Sequence, residues 1–264
     1  MDLLVLSGYF LAVLVGVSLG LVGSGGSILT VPILVYVLGF DAVTATGYSL
    51  FVVGGTALVG GLRNALHKNV NFNIVVLFGI PSLITAYLIR AFVIPVLPDI
   101  IITIGSLSVT KGLLLLILFA IIMLIAAVKM IRSTPITRDD ALFSKSKLII
   151  SGAVTGLLAG AVGAGGGFLI IPALVFLAGL SMKKAVGTSL FIIAVQSLAG
   201  FAGDATRQNI EWNFLLPFTA FAIAGIFIGI IASKKIEGEK LKTGFGYFIL
   251  VMGVYIIVKE LFLK

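Results

Sequence analysis

Gly23-Ser24-Gly25-Gly26-Ser27, followed by Pro32, and Gly163-Ala164-Gly165-Gly166-Gly167, followed by Pro172, interrupt the two longest uncharged stretches of this chain. Those stretches run from Leu3 to Phe40 and from Leu148 to Met182. At about 1.5 Å per residue, either would form a straight helix of over 50 Å, nearly twice the roughly 30 Å of a bilayer's hydrocarbon. Each must therefore fold back on itself, and the glycine clusters mark where. Glycine releases a helix and tolerates dihedrals that other residues avoid, while proline suits the first turn of the segment that follows. A helix broken within a membrane exposes backbone N–H and C=O groups that lipid cannot satisfy. Such breaks persist only against protein or a water-filled cavity.

The rest of the chain agrees with a membrane setting. Hydrophobic residues make up 60% and charged residues 11%, with a mean hydropathy of +1.26; a soluble domain carries about 25% charge. Further uncharged runs, at 42–62, 69–89, 112–128, 185–203, 212–233 and 243–258, are near the roughly 20 residues of one membrane-spanning helix. The net charge of +8 is spread between these runs, as expected of membrane loops and not of a nucleic-acid-binding patch. With no cysteine and one histidine, His67, disulfides, thiol chemistry and a histidine metal site are excluded. The first apolar run lacks the basic flank and cleavage site of a signal peptide.

An offset of 140 residues aligns 23–51 with 163–191, and 13 of the 29 positions are identical. The matches include Gly25/Gly165, Gly26/Gly166, Pro32/Pro172, Gly39/Gly179, Gly47/Gly187, Ser49/Ser189 and Phe51/Phe191. General apolarity does not align glycines, prolines and serines. The reading is an all-α polytopic membrane protein of two repeats, each a broken helical hairpin plus three transmembrane helices, eight to ten membrane segments in all. Residues 1–131 form repeat one, 132–147 a basic linker and 148–264 repeat two. Asp41 and Ser181 stand at equivalent places before a helix, which makes Asp41 an N-cap. Loop charges alternate between the copies: 63–71 is basic where 203–211 is mixed, and Asp41 corresponds to the loop of Lys183 and Lys184. Placing basic loops in the cytoplasm puts both termini outside and makes the repeats inverted.

Inverted repeats with broken helices belong to secondary transporters. Free N–H groups at a half-helix start attract anions without a buried cation, and two such ends would face one shared site. The candidate substrate-binding residues are Ser24, Gly25, Gly26, Ser27, Ser49, Gly165, Gly166, Gly167, Thr188, Ser189 and Gln196. Glycine, serine and threonine also serve close helix packing, and that competing role applies to each. The paired clusters, with Gly47-Tyr48-Ser49 and Gly187-Thr188-Ser189, resemble the TauE/SafE sulfite exporter family over nearly the whole chain. The resemblance implies export or import of a sulfur-containing oxyanion such as sulfite, thiosulfate or an organosulfonate across the plasma membrane. Tyr48 departs from the Gly-Thr-Ser pattern of repeat two.

The expected partners are a small anion and the lipid bilayer, with no nucleic acid, cofactor or metal; a homodimer stays open. Asp41, Asp204 and Glu211 are read as span-end residues, which leaves no intramembrane carboxylate to relay protons. An anion channel is the alternative function. A membrane-embedded enzyme ranks lower, for lack of a buried base, nucleophile or metal ligand.

Overall fold

The computed structural model describes residues 3–23, 26–104, 107–132, 145–163, 166–205, 210–233 and 238–262. Among the described residues, five helices come from each half. In the first they are α1 (Leu3–Val22), α2 (Gly26–Pro32, continuing as a π-helical turn over Ile33–Val37), α3 (Ala42–Leu66), α4 (Phe72–Val96) and α5 (Lys111–Arg132). In the second they are α6 (Lys145–Val162), α7 (Gly167–Phe176), α8 (Met182–Ala205), α9 (Trp212–Ser233) and α10 (Gly238–Phe262). Six of these helices are long and apolar enough to cross a membrane, and the chain is an all-α polytopic membrane protein. A small antiparallel pair, β1 (Ile100–Ile104) and β2 (Leu107–Thr110), joins α4 to α5. Residues 133–144, the body of the linker, lie outside the described residues.

The fold-back expected of the long uncharged runs is present. Leu38, at the end of the π-helical turn, lies against Gly8 near the start of α1, while Gly26 abuts Val15 and Leu19. In the second half Gly166 abuts Thr155 and Ala159, which are Val15 and Leu19 displaced by 140. The turns are made at Gly23 (φ +76°) and Gly163 (φ +74°), a left-handed backbone that side chains with a Cβ resist. Asp41 caps α3 as read from sequence, its carboxylate accepting from the N–H groups of Val43 and Thr44 at 3.0 Å each.

Packing between the halves repeats the same offset. Helix α1 lies against α9, and its counterpart α6 lies against α4; α3 crosses α8, and α5 crosses α10. Gly16 meets the carbonyl of Ala222, and Gly156 meets that of Ser82, again the same pair shifted by 140. Small residues let these backbones approach where lipid supplies no hydrophobic drive for association. Along the α3–α8 crossing, Leu50 packs on Gly200 and Gly60 on Leu190. One index rises as the other falls, so the two equivalent helices run antiparallel.

Candidate functional site

Each glycine turn docks on the other half's third helix. Gly23 rests on Val186 of α8, and Gly163 rests on Thr46 of α3; 46 and 186 are equivalent positions. Gly187, beside Val186, abuts Asn64 and Asn69 at the far end of α3. Thr46 and Asn64 are 18 residues apart on one helix, so the turns lie about 27 Å apart along it. This corrects the expectation of one site shared by both breaks. In this conformation a small anion cannot touch both turns, and one turn docks at each end of the α3–α8 pair.

The residues singled out in the sequence divide accordingly. Ser24, Gly25 and Gly165 lie outside the described residues, as does the side chain of Ser27. Gly26 opens α2, and Gly166 and Gly167 open α7, with Gly166 left-handed at φ +62°. At the first break the Ser189 hydroxyl donates to the carbonyls of Gly23 (3.2 Å) and Val186 (2.9 Å). Its counterpart Ser49 is buried, and its hydroxyl has no hydrogen-bond partner. Gln196 belongs to the second break: its amide nitrogen faces Gly166, and its Oε1 accepts from the Ser82 hydroxyl. Thr188 is engaged elsewhere, its Oγ1 accepting from the N–H of Asn71 at 3.0 Å.

That last contact explains Tyr48. The Tyr48 hydroxyl accepts from the N–H of Glu211 at 2.7 Å, and Tyr48 and Glu211 correspond to Thr188 and Asn71. Two unlike side chains serve one purpose, since each ties the chain entering the other half's fourth helix to a third helix. The departure from the Gly-Thr-Ser pattern is therefore a substitution within a brace.

Sequence reading missed the charge beside the second break. Arg90, in a π-helical stretch of α4 over Ile89–Val93, is fully buried. Its Nε donates to the carbonyl of Gly160, in the last turn of α6 just ahead of Gly163. Nη1 pairs with Asp204 Oδ2 at 2.9 Å, and Nη2 is buried with no hydrogen-bond partner. Asp204 does sit at the end of its span, in the last turn of α8, but it is only 4% exposed. A charge-free-run rule places a charge at a boundary and cannot see that another helix covers it. Glu260 is likewise buried at 4% and accepts from the Tyr36 hydroxyl at 3.1 Å. The ground for excluding intramembrane carboxylates therefore falls. One signal was available: between Asn69 and Pro98 the sole charged residue is Arg90, and an isolated ionisable residue in a membrane segment marks function by default.

A cavity of about 580 Å³ opens at the start of α3, lined by Tyr36, Phe40, Asp41, Lys111 and Lys259 among others. It lies at the end of α3 where the second turn docks, with Asp41 little more than one helical turn from Thr46. Lys259 stands 4.2 Å over the Tyr36 ring, a cation–π contact.

Comparison with known proteins finds a transporter family and relatives named as membrane transporters. The family model described as Sulfite exporter TauE/SafE matches residues 9–256. A probable membrane transporter protein of Xylella fastidiosa is 29% identical over 252 residues, covering 92% of this chain and 91% of that protein. One from Methanocaldococcus jannaschii is 28% identical over 270 residues, covering 94% and 95%. A third, from Bacillus subtilis, is 27% identical over 274 residues, covering 96% and 97%.

Proposed function

Because the chain belongs to the TauE/SafE sulfite exporter family, we propose that it is a secondary transporter moving a small sulfur-containing oxyanion by alternating access. The observation that carries this reading is the reciprocal docking of the two turns, Gly23 on Val186 and Gly163 on Thr46. Two equivalent plugs at opposite ends of one antiparallel helix pair can open in turn, exposing the interior to one side and then to the other. The same antiparallel crossing supports inverted repeats. With basic loops on the cytoplasmic side of the plasma membrane, both termini face outward.

The anion chemistry comes from the breaks. At the second one, the N–H groups that open α7 carry partial positive charge, and Gln196 adds an amide beside Gly166. No reacting substrate atom needs to change covalently, and transport without catalysis accounts for the fold.

The test is uptake into proteoliposomes with sulfite, thiosulfate, sulfate and an organosulfonate. The expected result is saturable uptake of at least one sulfur oxyanion, accelerated by the same anion on the opposite side. Uptake that never saturates and shows no trans-acceleration would favour a channel. Binding of cations with no anion bound would end the anion reading.

A further inference from the structure

We infer that Arg90 is the anion-binding side chain of the second break, presenting its Nη2 N–H groups to an oxygen of the substrate. This deepens the transporter reading and rests on it. A guanidinium offers five N–H donors in a fixed plane. Nε is committed to the Gly160 carbonyl and Nη1 to Asp204, whereas Nη2 is buried with no partner. Leaving a buried charged donor unsatisfied is costly, and native structures retain such groups where something else uses them.

The direction of Nη2 follows from the planar fork. Nη2 shares an edge with Nε, and Nε points at the last turn of α6. Nη2 therefore faces the same end of that helix, where Gly163 turns the chain and α7 begins. Gly200 and Gly203 make room for the arginine stem: a Cβ on Gly203 would lie 3.0 Å from that of Arg90. Asp204 holds the Nη1 side, which fixes the fork and leaves the other side for a ligand. A sulfur oxyanion at this point accepts charge-assisted hydrogen bonds from Arg90, in a site of low dielectric where these are strong.

Among the described residues, the first break has no equivalent cation. The position matching Arg90 is Ile230, which packs on Gly20, and the position matching Asp204 is Asn64, which donates to the Gly60 carbonyl at 2.9 Å. Substrate recognition by a buried guanidinium is thus one-sided in a two-sided scaffold.

The test is equilibrium binding of sulfite and of thiosulfate to the purified full-length protein, with thermal unfolding as the check on folding. Arg90→Gln leaves Asp204 without its ion-pair partner, so the decisive variant is Arg90→Gln with Asp204→Asn, which keeps a neutral hydrogen-bonding pair. Arg90→Lys keeps the charge and the ion pair but loses the fork. The double variant is expected to bind about 10- to 100-fold more weakly than wild type, and Arg90→Lys several-fold more weakly. A double variant, or a lysine variant, that binds with wild-type affinity overturns the assignment, because Arg90 would then serve only to neutralise Asp204. If wild type binds neither anion, the substrate reading falls together with this one.

Discussion

The two glycine breaks share one backbone and differ in chemistry. Both turn at a left-handed glycine, both fold a short helix onto the one before it, and both dock on the equivalent residue of the opposite third helix. Yet the second break is flanked by Arg90, Asp204, Ser82 and Gln196, where the first has Ile230, Asn64, Ala222 and Thr56. The π-helical turns of the described residues all fall in the first half, at 33–37, 75–79 and 89–93, and the last of these carries Arg90. Such turns commonly mark functional positions in helices. The difference teaches that symmetry here belongs to the scaffold. Positions that set backbone approach are kept in both halves, while positions that meet charge have diverged.

The largest expected effect breaks the comparison at its charged point. Arg90→Leu alone leaves Asp204 without its ion-pair partner and should cost about 3–5 kcal/mol of stability. The counterpart Ile230→Val should cost only about 0.5–1.5 kcal/mol. Thermal unfolding in detergent would reveal the asymmetry, and equal losses would contradict it. Next come the packing glycines, where the halves should agree. Gly16→Leu and Gly156→Leu each force a side chain into the backbone of a crossing helix and should each cost about 3 kcal/mol or more. A variant of one that folds normally while the other fails would break the symmetry. The smallest effects concern the brace. Tyr48→Phe and Thr188→Val each remove the acceptor of one backbone N–H, at Glu211 and Asn71, for about 1–3 kcal/mol. Similar losses by urea or thermal unfolding would sharpen the claim that unlike residues brace the two halves in the same way.

Much of the scaffold was legible in the sequence. Glycine, proline and serine recur at a fixed offset because turns and close approaches restrict which residues fit, so Gly23/Gly163 and Gly26/Gly166 announced the hairpins. The helix-capping role of Asp41 was readable for the same reason: it depends on residues two and three positions away. The Arg90–Asp204 pair was not readable, because it joins positions 114 residues apart that do not obey the repeat. The brace was hidden by chemistry, since tyrosine and threonine share only a hydroxyl. The separation of the two turns was hidden by geometry: loop charges predict inverted repeats, but only the docking on α3 and α8 shows how far apart the turns lie.

The absence of cysteine allows the central claim, that the two turns open alternately, to be tested by single substitutions. Thr46→Cys and Val186→Cys place one thiol beneath each turn, and their reaction with a maleimide can be followed in proteoliposomes with and without sulfite. Alternate opening predicts that sulfite changes the two labelling rates in opposite directions, one turn closing as the other opens. Rates that rise together, fall together or do not respond, in protein that binds sulfite, would contradict it.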